Sequence, residues 1–167
     1  MDNITRLFDF PYHQLEKYNL SDALVTKYGS DWIKTSTKEY IDKANAISRG
    51  LLRLGINVND KIAIISSNNR TEWHITDIGV LQTGAQNVPI YPTISAEDYE
   101  YILNHSDSTY CFVSDQEIFD KLISVKQNIP NLKEIYSFND IKGCKSWNEI
   151  LELGKDDSNQ AAVEDRK

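Results

Sequence analysis

The sequence predicts an α/β fold: a three-layer, mostly parallel, doubly wound sheet with helices on both faces. Three observations carry that expectation. Short apolar runs recur at residues 62–65, 88–91 and 109–113. The run 62–65 is too short for a helix and too apolar for a strand open to water on one side, which is the habit of strands buried in a parallel sheet. Segments with helical spacing of apolar residues separate these runs. The stretch 60–93 then holds strand, helix and strand in the length of one right-handed βαβ crossover.

In chain order, residues 1–18 are rich in aromatics (Phe8, Phe10, Tyr12, Tyr18) and contain Pro11, so they are expected to wrap the surface as an irregular arm. Ser21 and Asp22 can start a short helix through Ala23, Leu24 and Val25, which Gly29 would end. Residues 32–35 read as a strand. Ser36 and Glu39 then make a capping box, each side chain satisfying an orphan backbone N–H of the other. The helix that follows places Ile41, Ala44, Ile47, Leu51 and Leu54 on one face and stops at Gly55.

In the central crossover, the strand 62–65 gives way to Ser66, Ser67, Asn68 and Asn69. Asn69 with Glu72 is read as a second capping box, and the helix from Thr71 is expected to end at Gly84, where glycine takes a left-handed conformation cheaply. Pro89 cannot donate to a ladder, so its strand belongs at a sheet edge or leaves the sheet there. Ser95 opens a helix with Tyr99, Ile102 and Leu103 buried. Ser114 and Glu117 suggest a third capping box, before a helix carrying Phe119, Leu122 and Val125 that Pro130 terminates. A strand at 134–138 and a short helix at 147–153 complete the domain. The organisation expected is an α/β subdomain over 1–154 and a linker or disordered tail over 155–167, where KDDSNQAAVEDRK has few apolar residues.

Composition narrows the function. The chain has 167 residues, 40% hydrophobic and 26% charged, enough for one domain with a core. A net charge of −7 argues against a nucleic-acid partner, which needs a basic face. The first ten residues lack the pattern of a secretory signal, and no apolar run approaches a transmembrane span. Cys111 and Cys144 have no metal-ligand spacing, and Cys111 sits inside an apolar run as a small hydrophobe. These features fit a reducing cytoplasm.

His13, His74 and His105 share no spacing that binds metal or relays protons, and each reads as structural. No Gly-rich phosphate loop, dinucleotide fingerprint or nucleophile elbow is present. The one corner of functional shape is the 66–70 loop, at the carboxyl end of a parallel strand and the start of a helix. Backbone N–H groups and the helix dipole favour an anion there, and Asn69 and Arg70 are the candidate contacts. Against this, the loop has no glycine to let a phosphate approach. Asn69 is therefore expected to cap the helix, with Arg70 partly exposed and paired to a carboxylate. Trp73 reads as a packing residue.

The same stretch carries a resemblance. Asn69, Arg70, Thr71, Glu72 and Trp73, then Asp77, Gly84 and Ala85, and the run Val88, Pro89, Ile90, Tyr91, Pro92, Thr93 resemble the opening subdomain of the adenylate-forming acyl-CoA synthetases, above all the long-chain fatty acid–CoA ligases. The similarity extends back through Trp32, Gly50, Leu51, Leu52, Leu54 and Gly55 and forward through Tyr101, Ile102 and Leu103, about residues 7–153. It implies a parent enzyme that joins ATP and a fatty acid to an acyl-adenylate and passes the acyl group to CoA, with ATP, Mg²⁺ and CoA as cofactors. That family's phosphate loop, adenine and ribose contacts, hinge and catalytic lysine match nothing here, so no catalytic residue carries over. The resemblance implies a truncated N-terminal segment that is scaffold, whose partner is the remainder of the synthetase. The other reading is a stand-alone α/β binding or protein-interaction module.

Overall fold

The computed structural model describes residues 4–167; positions 1–3 of the expected N-terminal arm lie outside the described residues. The elements are α1 (Asp9–Lys17), β1 (Leu24–Tyr28), β2 (Asp31–Thr35), α2 (Thr37–Arg53), β3 (Lys61–Ile65), α3 (Thr71–Leu81), β4 (Gln86–Ile90), α4 (Ala96–His105), β5 (Ser108–Val113), α5 (Gln116–Val125), β6 (Glu134–Ser137), β7 (Lys145–Ser146), α6 (Trp147–Leu153) and α7 (Gln160–Arg166), with a 3₁₀ turn at Lys126–Asn128.

Five strands form a parallel sheet in the order β4-β3-β5-β6-β7. Because side chains alternate across a strand, β3 sends Ile62 and Ile64 to one face and Ala63 and Ile65 to the other. The first face packs on α2, α3 and α6 through Ile47, Leu51, Ile75, Ile78 and Ile150. The second packs on α4 and α5 through Tyr99, Leu103, Ile118, Phe119 and Leu122. This is the three-layer, doubly wound architecture that the apolar runs predict. β4 is an edge strand, which is where Pro89 belongs, although Pro89 still sits in register opposite Ile64 and the strand continues to Ile90.

Local rules explain most helix starts. Ser36 and Glu39 form the expected capping box on α2, Ser95 and Asp98 form one on α4, and Ser146 and Glu149 form one on α6. On α5 the cap moves one residue from expectation. Asp115, not Ser114, accepts from the Ile118 N–H through Oδ1, while the Ser114 hydroxyl donates to Asp115 Oδ2. Helix α3 ends at Leu81, and Gly84 follows two residues beyond its cap with φ +75°. Gly84 is thus left-handed as anticipated, but in the turn after the helix.

Three segments differ from expectation. The N-terminal arm contains α1, because Pro11 falls in its first turn, where a missing N–H costs nothing. Where Ser21 and Asp22 predict the start of a short helix that Gly29 ends, the chain forms strand β1, paired antiparallel with β2 as a hairpin, with Tyr28 opposite Asp31. Gly29 supplies the positive φ, +59°, that a two-residue hairpin turn requires. The expected frayed tail carries α7: Val163 is buried, Arg49 donates from Nη1 to Gln160 Oε1, and Arg166 donates to the Ile56 carbonyl. Among the described residues, no helix is long and apolar enough to cross a membrane.

Candidate functional site at the carboxyl edge

Strand order fixes where this fold can bind. From β3 the chain crosses by α3 on one face to reach β4; from the adjacent β5 it crosses by α5 on the other face to reach β6. The carboxyl ends of β3 and β5 therefore flank a topological switch point, where open α/β sheets bind ligands. The loops at that point are residues 66–70 and the Ser114–Asp115 pair.

The two loops are tied together. The Ser67 N–H donates to Ser114 Oγ at 2.9 Å, and the Ser67 and Ser114 hydroxyls both donate to Asp115 Oδ2 at 2.7 Å. Burial disfavours the Asp115 anion, but these hydroxyls and the α5 backbone outweigh it and hold the carboxyl below the ordinary range. On its other side the 66–70 loop borders a cleft of about 510 Å³. Ile64, Ile90 and Pro89 contribute apolar wall, Trp73 and Tyr91 aromatic wall, and Ser66 and Asn68 neutral polar groups.

The candidate contacts fall in different places. Asn69 is exposed at the cleft and does not cap α3; the N-cap position is Arg70, whose side chain makes no cap bond. The cap comes from β1 instead. The Thr26 hydroxyl accepts the Thr71 N–H at 2.9 Å and meets the Thr71 hydroxyl at 2.8 Å. Glu72, expected to complete the Asn69 box, is drawn away by a stronger partner. Arg70 binds it in a fork, Nε to Oε2 at 3.0 Å and Nη2 to Oε1 at 2.8 Å, and Tyr28 Oη donates to the same carboxylate at 2.6–2.7 Å.

Arg70 is also not exposed. Its side chain is 4% accessible, donates to Asn139 Oδ1 at 2.9 Å, and lies 5.6 Å from the Tyr28 ring and 5.3 Å from the Phe138 ring. Burial opposes the charge of both partners, yet the fork and the Tyr28 hydroxyl prevail, so Glu72 titrates below the ordinary range and Arg70 above. The expected pairing to a carboxylate is present; the expected exposure is not, because the hairpin covers the guanidinium.

These residues do not fit nucleotide phosphates. The loop lacks glycine, its one cation is consumed by Glu72, and Asn69 offers only a neutral amide. Elsewhere, Trp73 is half-buried against the first core and meets His74 edge-on, and His105 stacks on Tyr101. Among the described residues, no group of three or more His, Cys, Asp or Glu could hold a metal ion. Cys111 is fully buried, which pushes its thiol up, and is inert packing. Sequence reasoning missed Thr26, Tyr28 and Asn139, which reach the loop from distant segments; the β-branched and aromatic pattern Val25, Thr26, Tyr28 before a Gly-Ser turn was the available signal.

The profile of the AMP-binding enzymes matches residues 12–165. A long-chain-fatty-acid–CoA ligase of Xenopus laevis is 32% identical over 154 residues, covering 86% of this chain and 21% of the relative. A human long-chain-fatty-acid–CoA ligase is 26% identical over 152 residues, covering 88% of this chain and 23% of the relative. Among solved structures, an anthranilate–CoA ligase in complex with anthranoyl-AMP superposes with TM-score 0.73 at 21% identity, over 87% of this chain and 26% of that one. A protein described as a long-chain-fatty-acid–CoA ligase from Rhodopseudomonas palustris superposes with TM-score 0.75 at 18% identity, over 87% of this chain and 36% of that one. At such identities the structures bear on fold alone. The chain spans about a fifth of the length of these curated relatives. The switch-point sheet, its covering helices and a profile match over most of the sequence lead to one conclusion: the chain belongs to the AMP-binding enzyme family.

Proposed function

We propose that this chain is the N-terminal α/β part of an AMP-forming long-chain fatty acid–CoA ligase, and that it serves there as scaffold. The parent reaction is ATP, fatty acid and CoA to acyl-CoA, AMP and pyrophosphate, with Mg²⁺ accompanying ATP, in the cytoplasm. The likeness to the long-chain ligases supports the substrate class. The observation that carries the scaffold role is Arg70: the one cation of the switch-point loop is sealed under the hairpin by Glu72, Tyr28 and Asn139. A group so enclosed builds the edge of a site without lending charge to a nucleotide. The phosphate-binding and catalytic groups then belong to the remainder of the synthetase.

The test is ATP–pyrophosphate exchange with palmitate. The purified chain gives no exchange above background. A chimera in which it replaces the matched segment of the Xenopus laevis ligase gives palmitate-dependent exchange. Exchange by the chain alone contradicts the scaffold role; a folded chimera inactive with every fatty acid contradicts the ligase reading.

A further inference from the structure

The hairpin of β1 and β2 is fixed at its base, unpacked along its body and latched toward its tip. At the base the chain enters and leaves through one clamp. The Thr37 N–H donates to the Leu20 carbonyl at 2.9 Å, the Leu20 N–H donates to Thr37 Oγ1 at 3.2 Å, and Thr37 Oγ1 donates to Gln14 Oε1 at 2.9 Å. Along the body, among the described residues, none from Ala23 to Thr35 joins either apolar core, and Val25, Trp32 and Ile33 are exposed. Toward the tip the anchors are polar. Thr26 Oγ1 meets the Thr71 N–H and hydroxyl, and Tyr28 Oη donates to the Glu72 carboxylate.

We propose that this hairpin is a hinged flap. It swings about the Leu20–Thr37 clamp when Thr26 and Tyr28 let go, uncovering Arg70 while the sheet and both cores stay folded. The inference goes beyond the scaffold role and holds whatever the parent enzyme acts on. Opening removes little apolar surface from contact, and the few hydrogen bonds it breaks can be remade to water, so the hairpin belongs at the low-stability end of the domain. Closing is favoured by the Tyr28 bond, which a charged acceptor strengthens. The flap governs the loop it covers. Closed, it leaves the Arg70 side chain 4% accessible and forked to Glu72. Open, the fork meets water, where the attraction between its charges falls as the local dielectric rises. The cation of the 66–70 loop is withheld in one state and accessible in the other.

The test is phenylglyoxal labelling of Arg70, read by peptide mass, together with amide hydrogen exchange of Thr71, Thr37 and Ile64, on the folded chain in urea below its unfolding transition. Opening releases the Thr71 N–H, the Thr37 N–H sits at the hinge, and Ile64 lies in the core strand. Arg70 labelling and Thr71 exchange run at rates nearly independent of urea, because opening exposes little surface, whereas Thr37 and Ile64 exchange only with global unfolding. Tyr28→Phe removes one hydrogen bond to a charged group and speeds Arg70 labelling and Thr71 exchange about tenfold. Gly84→Ala, which strains a turn outside the flap, quickens Ile64 and leaves the Arg70 and Thr71 rates unchanged. Arg70 and Thr71 rates that rise with urea alongside Ile64, or that respond to Gly84→Ala as they do to Tyr28→Phe, overturn the flap, because Arg70 is then uncovered only when the domain unfolds. Thr37 exchanging as fast as Thr71 overturns the hinge, because the segment then peels away from its base.

Discussion

The seam between α2 and its neighbours and the carboxyl edge of the sheet are both buried, but they are held by opposite means. At the seam, backbones meet without side chains between them. A Cβ on Gly154 would overlap the Ala46 carbonyl, one on Gly50 would strike the Ile150 carbonyl, and one on Gly79 would come within 2.6 Å of Ile47 Cγ2. At the carboxyl edge, polar groups from four separated segments satisfy one another: Thr26 and Tyr28, Ser67 with Arg70 to Glu72, Ser114 and Asp115, and Asn139. The seam depends on volume and the edge on charge and geometry. Changes at the seam therefore act on the whole domain at every pH, whereas changes at the edge are tied to ionisation.

The largest effect is expected at Gly154. Gly154→Ala puts a methyl into backbone that cannot swing aside, so α2 and α6 must separate; the loss is about 3 kcal/mol, read as a fall in the urea midpoint with unchanged m-value. A neutral result would mean that the seam is not close-packed.

Arg70→Met comes next, at about 2–3 kcal/mol near neutral pH, because it leaves the Glu72 carboxylate half-buried without its fork. The pH dependence distinguishes it from the seam. Glu72 has a folded-state pKa below its unfolded value, so its contribution is present above the ordinary Glu pKa of about 4.3 and is lost as pH falls through the folded value. The gap between wild type and Arg70→Met should narrow on acidification, while the gap to Gly154→Ala stays constant. Equal pH slopes for the two variants would erase the distinction.

The same contrast explains what the sequence makes legible. Ile62 to Ile65, the α2 stripe of Ile41, Ala44, Ile47 and Leu51, and the Ser36–Glu39 box are short-range patterns, and each appears as read. The carboxyl edge is not short-range. Asn69 and Glu72 have the spacing of a capping box, yet the Thr26 hydroxyl, 45 positions away, takes the cap and Arg70 takes the glutamate. A local motif yields here because a charged fork, once buried, must be satisfied before a neutral cap. Likewise, α7 has too few apolar residues to announce itself; it depends on Val163 reaching the α2 side and on Arg49 and Arg166.

Smaller effects sharpen the comparison. Gly84→Ala should destabilise by about 1 kcal/mol, since Gly84 has φ +75° and a Cβ would sit 3.0 Å from Val58 Cγ2, a side chain able to give way. Asn69→Ala should change stability by less than about 0.5 kcal/mol, because Asn69 is exposed and makes no cap bond. A loss of about 1 kcal/mol or more, the usual value of an N-cap, would restore Asn69 to that role.

The measurement that bears most directly on the scaffold role is calorimetric titration of the folded chain with ATP and with CoA. With Arg70 sealed and no glycine in the 66–70 loop, both nucleotides should bind no tighter than about millimolar, some 4 kcal/mol. Micromolar binding that weakens in the fold-neutral Asn69→Ala variant would contradict the account and make the carboxyl-edge loop a ligand site in its own right.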